Sequence, residues 1–273
     1  MTAAMPSRTS TPTVPILLYH SVSDSPSSFI APFTVSPDTF ARHLDAVAAS
    51  GATTLTVSQL RAALDGHQPL PQRPVLVTFD DGFLDTLTVA APLLAERGMS
   101  MTAYVTTGVV GGTSPGGDPM LSWSQTAELA ASGAEIGGHS HTHPELDTLP
   151  VTALREETAG CRARLQDGTG LPIHSFAYPF GYSDPRVRRV VQDAGFTSAC
   201  SVKNALSAPH DPPFGISRLM VMSTTGGDDV VSWLSGNGAP VGRDDERVLT
   251  RGWRAWRRVR NRVHPMEGWA DAR

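Results

Sequence analysis

The sequence predicts an α/β protein in which about seven or eight strand–helix units form a single barrel. Short apolar runs alternate with amphipathic stretches of helical length, a pattern typical of parallel strands joined by helices. Most of these stretches stop at a glycine, the residue that favours a helix C-terminus. In a parallel barrel the ends of the strands meet at one rim, so functional residues gather there. Six candidate functional residues follow apolar runs in this way: His20, Asp80, Asp81, His139, His143 and Phe180.

The individual elements follow from local signals. Ser36 and Pro37 suit the N-cap and first turn of a helix that Gly51 ends. The apolar and β-branched run 74–79 predicts a buried strand. Strands are predicted in the same way at residues 14–19, 53–56, 74–79, 101–106, 134–138, 174–178 and 196–202, and within 214–222. Helices are predicted at residues 36–51, 57–64, 86–97, 123–131, 150–165 and 185–193.

The chain is predicted to have four regions. Residues 1–13 are rich in Ser, Thr and Pro and are expected to be a disordered N-terminus. Residues 14–222 contain all the predicted strands and form the catalytic barrel. The stretch 223–246, rich in Gly and Asp, is interpreted as a linker. Residues 247–273 are interpreted as a basic amphipathic helix with its tail.

Composition argues against several classes of protein. The hydrophobic fraction of 40% and the charged fraction of 18% are ordinary for a globular protein. The net charge of −4 gives no general attraction to nucleic acid. Cys161 and Cys200 lack the spacing of a thiolate metal site. We see neither a leader-like segment nor an apolar run of membrane length, so a cytoplasmic protein is expected.

The pair Asp80–Asp81, at the end of the strand 74–79, is the most informative feature. Two adjacent carboxylates repel each other, so both stay ionised only when a positive charge compensates them. The run 138–144 holds three histidines. Imidazole with carboxylate suits zinc and similar ions, and two His with one Asp leave positions open for water and substrate. An ordinary Asp-Asp-Gly turn is the alternative interpretation.

These two motifs resemble those of the polysaccharide deacetylases, also called NodB-homology proteins or carbohydrate esterase family 4. Residues 78–82 match the family's Thr-Phe-Asp-Asp-Gly motif, and residues 139–143 match its His-Ser/Thr-x-x-His motif. The resemblance implies a distorted (β/α)7-8 barrel. It also implies hydrolysis of the N-acetyl amide of an amino sugar, with release of acetate.

The resemblance further implies roles for individual residues. Asp80 would be the catalytic base, and Asp81, His139 and His143 would hold a divalent metal. Zn²⁺ is the expected ion, with Co²⁺ or Ni²⁺ as alternatives. His141 stands at a variable position of the motif, so we interpret it as a residue that does not bind the metal.

Two other motifs of the family are incomplete. The third motif has an Arg where Ala177 stands and a Tyr where Phe180 stands. In the family the Tyr position offers its backbone N–H to the oxyanion, and Phe180 retains that group. The missing Arg steadies the catalytic Asp, and Arg218 is the predicted substitute, although an ordinary surface arginine fits as well. The late Leu-x-His motif, which supplies the general acid in many members, has no match after residue 200.

His20 is therefore the predicted general acid. It ends the first strand, and the first and last strands of a closed barrel are neighbours. The Tyr19-His20 motif resembles the branch of the family that processes the bacterial exopolysaccharide poly-N-acetylglucosamine. A structural histidine at a strand end is the alternative.

The C-terminal segment carries a separate signal. Seven arginines and no acidic residue occur over residues 247–262. Four apolar residues repeat there with a helical period: Leu249, Trp253, Trp256 and Val263. A basic amphipathic helix predicts peripheral contact with a membrane surface or an anionic polymer. A helix packed on its own barrel, with its arginines in solvent, fits the same pattern.

The leading hypothesis is a metal-dependent carbohydrate N-deacetylase that acts on a glycan, a glycoside or a lipid-linked saccharide. One alternative is an amidohydrolase of a non-carbohydrate amide or imide, and another is a non-catalytic glycan-binding protein with the same fold. The intact set Asp81, His139 and His143 favours the metal-dependent enzyme. The expected partner is an N-acetylated saccharide, and no nucleic acid is expected.

Overall fold

The computed structural model describes residues 13–243, 248–263 and 268–269. The predicted disordered N-terminus, apart from Thr13, lies outside the described residues. The strands are β1 (Ile16–Tyr19), β2 (Ser21–Val22), β3 (Thr34–Val35), β4 (Thr53–Thr54), β5 (Pro74–Phe79), β6 (Thr102–Val105), β7 (Glu135–Gly138), β8 (Ser175–Ala177), β9 (Ser198–Cys200) and β10 (Leu219–Met220). The helices are α1 (Pro37–Ala49), α2 (Val57–Leu64), α3 (Ala91–Ala95), α4 (Trp123–Ala131), α5 (Val151–Arg155), α6 (Cys161–Thr169), α7 (Pro185–Asp193), α8 (Gly227–Leu234) and α9 (Val248–Val263). π-helical turns, Thr86–Ala90 and Glu156–Gly160, lead into α3 and α6.

Parallel strands form one curled sheet in the order β10-β1-β5-β6-β7-β8-β9, and β4 pairs with β5 outside this path. The two ends of the sheet meet just before β10, where Ile216 forms a parallel bridge with Cys200 of β9. The N–H of Ser201 donates to the Ile216 carbonyl at 2.8 Å, and the N–H of Ile216 donates to the Ala199 carbonyl at 3.1 Å. The predicted distorted barrel is confirmed, and β1 and β10 are neighbours.

Local sequence explains why these elements form where they do. The bounds of α2, α4, α7 and β5 agree with those predicted. Thr56 and Gln59 form a capping box at the start of α2, and Ser122 and Gln125 form another at α4. Every residue of β5 is buried, as expected for a central strand covered on both faces. Burial of each large apolar side chain in such a core contributes about 1.5–3 kcal/mol.

The stretch 223–246 differs from the predicted linker because it contains α8. Helix α8 packs against α1, and its Val230 is fully buried. The glycine and aspartate that suggested a linker form a helix start instead, since the Asp229 carboxylate accepts the N–H of Gly226 at 2.8 Å. Acidic residues in the first turn also suit the positive end of the helix dipole.

Helix α9 packs on the barrel through its arginines. Both Nη atoms of Arg257 donate to the Asp147 carboxylate, at 2.9 and 2.6 Å, and Arg257 is only 1% exposed. Arg258 Nη2 donates to Asp184 at 2.8 Å, and Arg260 pairs with Glu145. The helix thus lies on its own barrel, and these arginines pair with acidic residues; Arg257 is buried, whereas the Arg258 side chain is 42% exposed.

The two tryptophans of α9 are about half exposed, with Trp253 at 49% and Trp256 at 50%. The side chains of Leu249 and Val263, and the whole of Arg247, lie outside the described residues. None of the described helices combines the length and apolarity needed to cross a membrane. Peripheral membrane contact through residues 247–263 stays a prediction.

Candidate active site

One rim of the barrel brings together an aspartate and two histidines. Asp81 follows β5, and His139 and His143 follow β7. Asp81 Oδ1 lies 3.2 Å from His139 Nε2 and 3.3 Å from His143 Nε2. All three side chains are buried, and their potential ligand atoms lie within 4.8 Å of one another. In the described part of the chain, this is the one group of His, Cys, Asp and Glu with such geometry.

The chemistry of this cluster fits a bound cation. His139 Nδ1 lies 2.9 Å from the Ala177 carbonyl, which can only accept, so the ring hydrogen resides on Nδ1 and the Nε2 lone pair faces Asp81. Asp81 Oδ1 is buried and has no hydrogen-bond partner among the described residues. Burial opposes protonation of His139, yet Asp80 and Asp81 raise its pKa above the ordinary value. An imidazole nitrogen lone pair and a carboxylate oxygen that face each other, with excess negative charge nearby, are ligands that Zn²⁺ and related ions bind.

His141 lies outside this cluster. Its Nδ1 is 3.0 Å from Thr107 Oγ1, and its backbone carbonyl accepts the N–H of Gly108 at 2.7 Å. Ser140 has a left-handed backbone conformation and turns the chain between His139 and His141. The histidines therefore do not lie on one face of an extended segment.

The rim is built on left-handed backbone conformations at residues other than glycine. The φ angles are 76° at Asp81, 65° at Ser140, 58° at His143 and 58° at Phe180. Each such residue costs on the order of 1–3 kcal/mol and persists only when its surroundings hold it. The N–H of Thr106 donates to the Asp81 carbonyl at 3.1 Å, and the N–H of His143 donates to Ser140 Oγ at 2.9 Å. The orientation of the cluster is therefore fixed by the fold.

Glu157, on the π-helical turn before α6, holds the loop between the two clustered histidines. Its Oε2 accepts the N–H groups of His141 and Thr142 at 2.8 Å each, and its Oε1 accepts the Thr142 hydroxyl at 2.7 Å. Glu157 was not predicted as a site residue, because it sits within a predicted helix and belongs to no recognised motif. The carboxylate thus holds the backbone of the loop at His141 and Thr142.

Arg218 reaches Asp80 from the segment just before β10. Its Nη1 and Nη2 donate to the two oxygens of Asp80 at 2.6 and 2.7 Å, and Nη1 also lies 3.3 Å from Thr78 Oγ1. Both partners are buried, so Arg218 is not a surface arginine. Burial alone would raise the pKa of the Asp80 carboxyl, but Arg218 and His139 hold that pKa below its ordinary value.

His20 lies beside the carboxylate pair. Strands β1 and β5 pair Tyr19 with Phe79, and the N–H of Asp80 donates to the Tyr19 carbonyl at 2.9 Å. His20 is the next residue after Tyr19 and is partly exposed, while its Nδ1 is buried without a hydrogen-bond partner among the described residues. Burial lowers the pKa of His20, although Asp81 and Asp80 oppose the shift.

Two aromatic residues flank His143. Phe180 is 43% exposed, and its ring centroid is 4.8 Å from that of His143. The Trp269 ring also contacts the His143 ring, with a centroid distance of 4.2 Å. The backbone N–H of Trp269 donates to the Thr142 carbonyl at 2.8 Å. Trp269 belongs to no family motif, so its position beside the rim could not be predicted from sequence.

Comparisons with known proteins identify the family. The family model described as polysaccharide deacetylase matches residues 67–199. The solved structure of IcaB from Ammonifex degensii is 30% identical, with a TM-score of 0.73, covering 81% of this chain and 97% of that one. The chain belongs to the polysaccharide deacetylase family.

Further relatives share the fold. The deacetylase PplD from Streptococcus pyogenes, solved with acetate, is 20% identical with a TM-score of 0.73, covering 81% of this chain and 97% of that one. The Bacillus subtilis (strain 168) protein YxkH is 25% identical over 208 residues, which is 76% of this chain and 71% of YxkH. The resemblance predicted from the two motifs is therefore confirmed at the level of the family.

Proposed function

We propose that this protein is a metal-dependent carbohydrate N-deacetylase in which Asp81, His139 and His143 hold a divalent ion. Membership of the polysaccharide deacetylase family supports carbohydrate deacetylation. The proposed metal site is supported by the three buried side chains of Asp81, His139 and His143, whose potential ligand atoms lie within 4.8 Å of one another. The similarity to IcaB and the Tyr19-His20 motif support the exopolysaccharide-type branch of the family. A cytoplasmic location stays a prediction.

Asp80 is the proposed general base. When bound, a divalent ion supplies Lewis-acid chemistry that polarises the acetyl carbonyl and lowers the pKa of water. Asp80 accepts the proton of the attacking water as the water oxygen adds to the amide carbon. Arg218 contributes by keeping the Asp80 carboxylate ionised and by fixing both of its oxygens.

Phe180 and His20 are proposed to complete the reaction. The backbone N–H of Phe180 donates to the oxyanion, and the left-handed turn at Phe180 sets the direction of that group. His20, in its protonated form, gives a proton to the amine nitrogen as the C–N bond breaks. The products are acetate and a free amino sugar.

The test is acetate release from N-acetylglucosamine oligomers, measured together with the metal content of the purified protein. Removal of the metal with a chelator is expected to abolish acetate release, and added Zn²⁺, Co²⁺ or Ni²⁺ is expected to restore it. His139→Ala should lose the metal, whereas the control His141→Ala should keep it. Undiminished activity of metal-free protein would refute the metal-dependent mechanism.

The same measurements separate the alternatives. Turnover of a cyclic imide or a non-carbohydrate amide, with no acetate released from any saccharide, would favour the amidohydrolase alternative. Saturable binding of oligomers to metal-loaded protein, without turnover of any substrate, would favour a glycan-binding protein.

A further inference from the structure

Helix α9 packs on the barrel the opposite way round from an ordinary surface helix. An amphipathic helix normally buries its apolar face and leaves its charged face to solvent. In α9 the buried side chain is that of Arg257, at 1% exposure, whereas Trp253, Trp256 and Val259 are exposed by 49%, 50% and 59%. The barrel thus holds this helix through its arginines and leaves large apolar side chains exposed.

These apolar residues form one continuous surface. Trp253, Trp256 and Val259 follow one another at intervals of three residues, and each interval moves the position by about 60° round the helix. The rings of Trp253 and Trp256 stack, with centroids 4.6 Å apart. We call these three residues the outer face of α9. Exposed apolar residues that cluster in this way, instead of standing singly, mark an interaction surface.

Positive charge accompanies the outer face. The helix contains six arginines and no acidic residue. Among the described residues, three carboxylates pair with arginines of α9: Glu145, Asp147 and Asp184. The side chain of Arg258 is 42% exposed although it pairs with Asp184, and the Arg260 guanidinium lies 5.4 Å from the centre of the Trp256 ring. Cationic groups thus stand beside the exposed rings, so the surface suits an anionic partner.

The combination of apolar and cationic groups favours a lipid surface over other anionic partners. Tryptophan rings bind at the boundary between headgroups and acyl chains, and neighbouring arginines extend to the phosphates. An anionic polymer would use the arginines but would gain little from Val259. A second copy that docked through the same helix would bring two basic helices together, which the repulsion of like charges opposes.

We propose that the outer face of α9 docks this protein on an anionic lipid surface. The apolar side chains of that face enter the interface, and the arginines contact headgroup phosphates. The inference goes beyond the proposed deacetylase function and does not depend on it. Trp253 Nε1 lies 3.4 Å from the Tyr182 hydroxyl, and the Tyr182 ring stacks on Phe180 at 5.9 Å. A lipid surface bound at α9 is therefore close to the rim that carries the candidate active site.

The first experiment measures sedimentation of the full chain with vesicles. Vesicles of phosphatidylglycerol and phosphatidylethanolamine should bind the protein. Replacing phosphatidylglycerol by phosphatidylcholine should weaken binding by about fivefold for each arginine that contacts the surface, and about 0.5 M salt should also weaken it. Absence of binding to the anionic vesicles, or equal binding to both compositions, would overturn the proposal.

The second experiment changes the outer face itself. Trp256→Ala/Val259→Ala should lower the partition coefficient on anionic vesicles by about 10-fold to 100-fold, because less apolar area enters the interface. Both side chains are at least half exposed, so the variant should fold, and its melting temperature checks this. Trp256→Phe should keep most of the binding.

The matched control is Val231→Ala, to be compared with the single variant Val259→Ala. Val231 is also a valine and is 50% exposed, but it lies on α8. Val231→Ala should bind vesicles as the wild type does, whereas Val259→Ala should bind more weakly. Equal binding of these two variants, or undiminished binding of the double variant, would contradict docking through the outer face.

Other occupants would give different results. Binding to heparin as tight as to vesicles, and unchanged in the double variant, would assign the arginines to an anionic polymer. A dimer that the double variant loses, without vesicle binding by the wild type, would assign the outer face to a second copy. Either result would overturn the lipid proposal.

Acetate release from soluble N-acetylglucosamine oligomers, measured on the same preparations, keeps the two proposals apart. Vesicle binding by a protein that releases no acetate would refute the deacetylase function and leave the docking surface standing. Normal acetate release without vesicle binding would refute the docking surface and leave the function standing.

Discussion

The two halves of the proposed active site are built differently, although both lie at the same rim. On the base side, Asp80 is buried and both of its oxygens are held by Arg218. On the acid side, His20 is partly exposed, and its buried Nδ1 has no hydrogen-bond partner among the described residues. The proposed base is thus held in place by two hydrogen bonds from the protein, whereas the proposed acid has no such bond at its Nδ1 among the described residues.

The largest effect is expected from Asp80→Asn. An amide cannot take the proton of the attacking water, so kcat should fall by about 10³-fold. Because Asp80 is not among the three clustered acceptors, the metal content should remain that of the wild type. Acetate release and metal analysis on the same preparation check both statements. A variant that loses metal, or that keeps more than a tenth of the activity, would contradict the role of Asp80.

Arg218→Met tests whether the base side is ordered by its ion pair. Removing one partner of a buried pair leaves a charge without compensation, so the free energy of unfolding should fall by about 3–5 kcal/mol. Acetate release should also fall, because the orientation of Asp80 is lost. Denaturant unfolding measures the first effect.

The control for Arg218 is Arg164→Met. Arg164 pairs with Glu156 at 2.7 Å, but its side chain is 40% exposed, so its loss should cost about 0–1 kcal/mol. Equal destabilisation by the two substitutions would show that the Arg218 pair adds no order to the base side.

His20→Ala tests the acid side and should leave the fold intact. Loss of a general acid typically lowers the rate by about 10²-fold, and metal content should not change. The decrease should be smaller for an activated substrate whose leaving amine needs no proton, and the comparison of the two substrates measures this. A uniform decrease on both would indicate that His20 has a structural role.

Much of this arrangement follows from sequence because parallel strands deliver their ends to one rim. Asp80 and Asp81 follow β5, and the histidines follow β7, so local strand prediction already places them together. Arg218 was predicted as the substitute for the Arg that the third motif lacks, and the structure shows that the segment leading into β10 lies beside β1.

Other features depend on contacts that no local pattern encodes. The inward-facing arginines of α9 depend on acidic partners such as Asp147, which lies far away in the chain. No periodic pattern in the sequence predicts the contact between Trp269 and His143. In the stretch 223–246, Gly and Asp are as common in a helix cap as in a linker, so composition could not distinguish the two.

The smallest effect is expected from Glu157→Gln, which concerns how firmly the metal-binding loop is held. A glutamine oxygen can still accept the N–H groups of His141 and Thr142, but without the negative charge that strengthens both bonds. Removing such support typically weakens metal affinity by about 10-fold to 100-fold. Metal titration should therefore show weaker binding, and acetate release should recover when the metal concentration is raised.

Glu156→Gln is the matched control, because Glu156 is the preceding residue but its side chain is 59% exposed and faces Arg164. It should bind metal as the wild type does. If Glu157→Gln behaved like this control, the loop would be held by its left-handed turns alone, at Ser140 and His143. If excess metal failed to restore the activity of Glu157→Gln, the carboxylate would instead be needed for the fold of the rim, which a lower melting temperature would reveal.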